Sequence, residues 1–270
     1  MMTYTTPSGK TGDPSVLHQA GAAGDLALRC DNIRRNIARG LEKVNPNAAE
    51  RGSDVMKLVC FGPSLAENWE HIAVGEGDVW SLSGANRYLY ARGIAPRFHL
   101  EADPRPHKAR LLEGACPSTV YLIASRCHPN TFKTLSEKRV LLYHVFSDDE
   151  RETLDEVANG DFRVPPAWSM GNTALNIGML LGYKHFIIYG MDGSFTEDGR
   201  QHPGDHPNET RQLMTYTVDG ERSFLSSPDH LIAAECFIRI MVNQPYGTFE
   251  FVGDGMIPYM YHCYTKAYRA

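Results

Sequence analysis

Val55-Met56-Lys57-Leu58-Val59-Cys60-Phe61, followed at once by Gly62-Pro63-Ser64-Leu65, is the stretch on which the fold turns. Apolar residues run here almost without alternation and stop at a Gly-Pro pair, the pattern of a strand covered on both faces and ended by a turn. Runs of similar length recur at Asp78 to Leu82, Arg97 to Leu100, Thr119 to Ala124, Arg139 to Phe146, Lys184 to Tyr189 and Thr248 to Val252. Helical spacing fills the gaps, at Ala85 to Ala91, Arg105 to Leu112, Asp148 to Val157, Asn172 to Leu181 and Asp229 to Val242. Parallel strands need crossover connections, which are usually helices. The pattern therefore predicts an α/β fold: a Rossmann-like, doubly wound, mostly parallel sheet of about seven strands with helices on both faces.

Working outward, residues 1–24 are rich in Thr, Ser, Gly, Pro and Ala and read as a flexible tail. Behind Asp25, a candidate N-cap, Leu26, Ile33, Ile37, Leu41 and Val44 fall at helical spacing, so 25–46 reads as a helix appended to the body. The body spans 55–253 and 254–270 reads as a C-terminal tail. The least regular stretch, Asp192 to Pro228, reads as a functional loop or lid.

Composition narrows the class. The chain of 270 residues is 42% hydrophobic and 22% charged, which excludes wholesale disorder. Its 27 Lys and Arg against 32 Asp and Glu leave a net charge of −5, and no basic run tracks a phosphate backbone, so nucleic acid is not an expected partner. The longest apolar stretches break at Gly182-Tyr183-Lys184, short of the ~20 residues of a membrane span. Six scattered cysteines without a C-x-x-C pair, and an N-terminus lacking a charged start and apolar core, predict reduced, mostly buried thiols in a cytoplasmic protein. Association with copies of itself is compatible with this composition.

Ligands of open α/β sheets gather at the carboxyl ends of the strands, near the point where strand order reverses. Gly62 lets backbone approach a ligand, Pro63 suits a first helical turn, and Ser64 and Leu65 follow with a hydroxyl and free amides that suit a phosphate. A plain strand-to-helix turn explains the same residues. Asn86 can read a base or ribose edge, or cap its helix. Asp103 can bind a ribose hydroxyl or a metal, or cap the segment from Arg105. Ser125 and His128 follow the fourth run, where His128 either meets ligand or caps the helix from Asn130. Ser169, Gly171, Asn172 and Thr173 open a helix whose amides can take an anion. Asp192, closing Gly190-Met191-Asp192, is the best-placed carboxylate. His202 and His206 supply candidates for proton transfer, and their spacing around Asp205 would also suit a divalent metal if prolines did not forbid a helix there.

Gly62-Pro63-Ser64-Leu65, Asn86, Gly93-Ile94-Ala95-Pro96 to Asp103-Pro104, Leu181-Gly182-Tyr183-Lys184, and Gly190-Met191-Asp192 through Asp198-Gly199 to His202 together resemble the motility-accessory-factor domain. That domain shares a family with the 6-hydroxymethylpterin diphosphokinase MptE-like proteins. The same loop, asparagine and aspartate are similar to those of the bacterial CMP-sialic-acid-dependent sialyltransferases. The resemblance implies a nucleotide phosphate at Gly62 to Ser64, the nucleotide facing Asn86, the helix start Ser169 to Thr173 beside it, and Asp192 as the strand-end acid. It also implies a catalytic histidine just ahead of the helix at Asp229 to Val242. Here the nearest candidate, His230, is displaced onto that helix.

Three functions follow. The first is glycosyl transfer from a nucleotide-activated, CMP-nonulosonate-like sugar, with Asp192, His202 and His230 as candidate catalytic residues and no cofactor beyond the donor. The second is pyrophosphoryl transfer from ATP to a pterin alcohol, which requires Mg²⁺ held by Asp103 and Asp192. The third is a non-catalytic nucleotide-binding or assembly protein.

Overall fold

The computed structural model describes residues 3–5, 11–12, 24–48, 51–165, 167–204, 213–243 and 247–269. Among the described residues twelve strands form, in chain order β1 Thr3–Thr5, β2 Thr11–Gly12, β3 Val55–Val59, β4 Asp78–Leu82, β5 Phe98–Glu101, β6 Val120–Ala124, β7 Arg139–Val145, β8 Arg163–Val164, β9 His185–Tyr189, β10 Met214–Val218, β11 Arg222–Ser226 and β12 Thr248–Val252. The α-helices are α1 Leu26–Ile37, α2 Leu65–Asn68, α3 Ala85–Tyr90, α4 Pro129–Thr134, α5 Arg151–Val157, α6 Met170–Leu180, α7 Pro228–Asn243 and α8 Met256–Arg269.

Alternate residues of β3 enter opposite layers. Met56 and Leu58 pack with Trp80, Leu100 and Phe186 in the larger core, while Val59 joins Leu65, Leu89 and Tyr189 in a smaller one. A strand apolar on both faces belongs in the middle of a covered sheet, and the observed order is β12-β9-β3-β4-β5-β6-β7-β8, with every neighbouring pair parallel. All seven expected strands are present. The eighth, Arg163–Val164, has two residues, too few to register as an apolar run. Strand order runs outward from β3 to β8, then returns to place β9 on the other side of β3. The β3/β9 boundary is therefore the switch point. No helix among the described residues is long and apolar enough to cross a membrane.

Four expectations change. The segment from Arg105 is a 3₁₀ helix, Pro106–Leu112, instead of an α-helix. Within Asp192 to Pro228, β10 and β11 form a hairpin closed through Asp219 and Gly220, both at positive φ, and β1 and β2 extend it, so 3–5 and 11–12 are not tail. The expected C-terminal tail is helix α8, whose Met256, Ile257 and Met260 are buried and whose Tyr261 packs on Phe251 and Phe237. Pro258 lies in its first turn, where the missing amide donor costs nothing.

Helix α1 is no appendage. Its inward face is polar: Arg29, Asn32 and Asn36 are buried beside Ile33. Asn36 Nδ2 donates to the carbonyls of Ser125 at 2.9 Å and Cys127 at 2.7 Å, and Asn32 Nδ2 to that of Arg126 at 3.0 Å. Arg29 Nε reaches Glu150 Oε1 at 2.6 Å, and Arg29 also pairs with Asp149. Apolar periodicity shows the helix but not its docking, which rests on hydrogen bonds and ion pairs.

Removing one partner of a buried ion pair typically costs about 3 kcal/mol or more. Arg29→Ala should therefore lower the unfolding free energy from urea titration by an amount of that size, whereas Arg34→Ala, whose pair with Glu156 is exposed, should leave it nearly unmoved. Equal effects of the two substitutions would contradict this account of α1.

Candidate functional site

The loops that leave β3 and β9 are fastened to each other. Cys60 N–H donates to Tyr189 O at 2.9 Å, Gly62 N–H to Gly190 O at 2.8 Å, and Ser64 N–H to Asp192 Oδ2 at 3.0 Å. Gly190 turns at φ +61, which favours glycine, and a Cβ at Gly62 would collide with the Asp192 carboxylate. Helix α8 seals the far side, where Ile257 N–H donates to Asp192 O at 3.0 Å. Burial pushes the Asp192 carboxyl above its ordinary range, opposed by the hydrogen bonds from Ser64.

Above this junction lies a cleft of about 750 Å³ along the carboxyl ends of the strands. Of the residues singled out in the sequence, Gly62, Asp103, Ser169, Gly171, Thr173, Asp192, His202 and His230 line it. Ser169 Oγ caps α6 by accepting from Asn172 N–H at 3.1 Å, and Thr173 Oγ1 donates to Ser169 O at 2.9 Å.

The others lie elsewhere. Leu65 fills the smaller core, Pro63 begins the turn into α2, and the Ser64 amide is spent on Asp192. Asn86 is wholly buried: Nδ2 donates to Ser81 Oγ at 3.2 Å and Thr119 Oγ1 at 3.3 Å, and Oδ1 accepts the Cys116 amide at 2.9 Å. Ser125 is buried with its Oγ at 2.9 Å from His144 Nδ1. His128 caps α4, accepting from Asn130 N–H at 3.1 Å. Asn172 Nδ2 donates to the carbonyls of Ala167 at 3.0 Å and Ala233 at 2.8 Å, joining α6 to α7. His206 lies outside the described residues. Asn86, Ser125 and Asn172 satisfy buried partners inside the scaffold, a choice that the tertiary structure makes, whereas His128 makes an exposed local cap.

Asp103 is occupied as well. Arg105 grips it through its guanidinium, Nε to Oδ1 at 2.9 Å and Nη2 to Oδ2 at 2.6 Å, and through its backbone N–H to Oδ1 at 3.0 Å, and Lys108 Nζ stands 3.6 Å from Oδ2. Burial raises this carboxyl, but the Arg105 bonds and the Lys108 charge outweigh it and hold it below the usual range. Asp103 and Asp192 thus do not fit a protein-held Mg²⁺: the first has both oxygens committed to a guanidinium and the second has one on an amide. Among the described residues, no three His, Cys, Asp or Glu side chains gather as ligands.

Sequence reasoning missed the cationic wall of the cleft, Arg105, Lys108 and Arg126. Arg126 is held by the buried Glu150 and lies 3.3 Å from Ser147 Oγ. Arg105 precedes the 3₁₀ helix and reads only as the start of that segment, and neither Lys108 nor Arg126 sits at a glycine turn or helix start.

The histidines face the cleft from its other side. His202 Nδ1 lies 2.5 Å from Phe61 O, and its ring stacks on the Phe61 ring at 5.3 Å. A carbonyl only accepts, so Nδ1 carries the hydrogen and Nε2 is the basic nitrogen of the neutral ring. His230 sits in the first turn of α7, on the helix as its sequence position suggested. Its Nε2 lies 3.1 Å from Gln201 Nε2, and its ring packs against Phe195 at 5.2 Å.

Residues 31–198 match the model of the 6-hydroxymethylpterin diphosphokinase MptE-like family, well over half of the chain. The chain belongs to that family. The MptE-like match covers β3 to β9 and the Asp192 turn, and ends before His202, His230 and α8. Among solved structures, the MAf glycosyltransferase from Magnetospirillum magneticum AMB-1 aligns with a TM-score of 0.66 at 14% identity, over 94% of this chain and 43% of that one. The two share a fold, and this MptE-like chain spans less than half the length of that protein. A mammalian sialyltransferase aligns at a TM-score of 0.44 and 10% identity, over 94% of this chain and 90% of that one, too loosely to carry an argument. Comparison with curated proteins gives no match.

Asp192 binds its proton more tightly in the folded chain than in the unfolded one, where its ordinary value is 3.8. Its contribution to stability is therefore present at low pH and lost as pH rises through the folded value. The difference in unfolding free energy between Asp192→Asn and wild type, followed by urea titration from about pH 4 to about pH 8, should move in the variant's favour as pH rises. A flat difference would show that burial does not act on this carboxyl.

Proposed function

We propose that this MptE-like chain is a glycosyltransferase that moves a sugar from a nucleotide-activated, CMP-nonulosonate-like donor to an acceptor hydroxyl. The observation that carries the reading is His202, pinned by the Phe61 carbonyl with Nε2 as its basic nitrogen, in the same cleft as the start of α6 and the cationic wall. In the reaction His202 Nε2 takes the proton of the acceptor hydroxyl as its oxygen bonds to the sugar carbon. The bond from that carbon to the donor phosphate breaks, and its electron pair leaves on the phosphate oxygen. First-turn amides of α6, with Arg105, Lys108 and Arg126, favour the charge that develops there. Asp192 is a positioning residue: it orders the Gly62 loop through the Ser64 amide.

The family description favours a second reading, pyrophosphoryl transfer from ATP to a pterin alcohol. It would use the same base and the same cationic wall. It calls for Mg²⁺, and Asp103 is already committed to Arg105.

Titration calorimetry separates the two. CMP should bind without metal, and ATP should gain little from added Mg²⁺; ATP binding only with Mg²⁺ would support the second reading and overturn the first. His202→Ala should keep CMP affinity within about threefold while slowing donor turnover by a hundredfold or more, the usual scale for losing a general base. Unchanged turnover would remove His202 from the chemistry. CMP binding with no turnover by the wild type would leave a binding protein.

A further inference from the structure

Trp168 combines two features that packing does not explain. It lines the cleft and is 55% exposed, and its backbone lies at φ +60, a region that bulky residues rarely occupy. Ser169 N–H donates to Ala167 O at 2.7 Å, closing a tight three-residue turn with Trp168 at its apex. The turn is locked from behind, because Ala167 O also accepts from the buried Asn172 amide, whose other hydrogen bond reaches Ala233 O on α7. A strained conformation that its surroundings over-determine, at the edge of a cavity, points to use of the side chain it displays.

The ring has a specific complement. Of the two phenyl or indole rings lining the cleft among the described residues, Phe61 already carries His202 against it, while Trp168 lines the cavity with more than half of its surface exposed. Trp168 immediately precedes Ser169, the N-cap of α6. A planar heterocycle stacked on the indole would have its attached phosphate next to the first-turn amides of α6 and the cationic wall. Exposed apolar side chains elsewhere, such as Val74 and Leu180, line no cavity of this kind.

We propose that Trp168 is the stacking platform for a planar heterocycle that carries phosphate. On the donor reading above, on which this inference rests, that heterocycle is the nucleobase. Stacking recognises a π-face and not a pattern of hydrogen bonds, so this subsite favours an aromatic base over its absence more than one base over another.

The full chain, its Trp168→Ala, Trp168→Phe and Trp168→Gly variants, and three probes test this: CMP, ribose 5-phosphate and 6-hydroxymethylpterin. CMP should quench tryptophan emission of the wild type. Trp168→Ala and Trp168→Gly should weaken CMP binding by about ten- to a hundredfold and leave ribose 5-phosphate binding unchanged, the scale of losing one base–aromatic stack. Trp168→Phe should keep CMP affinity within about threefold by calorimetry while the quench disappears. Trp168→Gly should raise the melting temperature, since glycine tolerates the turn, and so separate lost binding from lost folding. Wild-type CMP affinity in the Ala and Gly variants, or an equal loss for ribose 5-phosphate, would overturn the platform and leave the donor reading standing. Pterin binding that depends on Trp168, without CMP binding, would keep the platform and overturn the donor reading. If no probe binds the wild type, both fall.

Discussion

A carboxylate held by a neighbouring loop's amide organises this molecule. Asp192 receives the Ser64 N–H at 3.0 Å across the β3/β9 boundary, the place where a doubly wound sheet must open because its helices diverge to opposite faces. Fastened there, the two central loops cannot drift apart. The Gly62 backbone comes so close to Asp192 that no side chain fits, and the first turn of α8 closes over the Asp192 carbonyl. The cost is a buried acid whose charged form is poorly solvated. Such a cost persists where it positions other groups, here the Gly62 loop and, through Phe61, the anchor of His202.

The opposite wall of the cleft depends on polar contacts that come from outside the sheet. Helix α1 holds the loop after β6 through Asn32 and Asn36 and meets Glu150 through Arg29, while Glu150 in turn holds Arg126 at the cleft. One chain of buried, paired charges thus runs from the amino-terminal helix to the cationic wall. A guanidinium fixed in this way needs little reordering to meet an anion, which is the advantage of a preorganised site over a mobile lysine on the surface.

The physical origin of each signal decides what could be read from the sequence. The central strands were legible because burial on both faces leaves continuous apolar runs, as in Val55–Val59 and His185–Tyr189. Gly62, Ser169 and Asp192 were legible because strand ends and helix starts carry local turn chemistry. Asn86 and Asn172 carried that same local chemistry, yet their side chains satisfy carbonyls, hydroxyls and amides of the scaffold, partners brought close largely by the fold, whereas His128 takes the local cap that its sequence position also allowed. Arg126 and Trp168 had no local mark, since one is aimed by a distant helix and the other by a turn locked from α7. The polar face of α1 hid its docking on the body although the helix itself was legible, and α8, which reads as a tail, was missed as a helix.

The central claim is that the cleft above the Asp192 junction receives a phosphate-bearing ligand. A crystal structure of the full chain grown with CMP is its most direct test. The account predicts the phosphate against the first-turn amides of α6 and the edge of Gly62, with Asp192 still accepting from Ser64. Nucleotide bound on another face, or in the cleft with its phosphate turned away from α6, would contradict it.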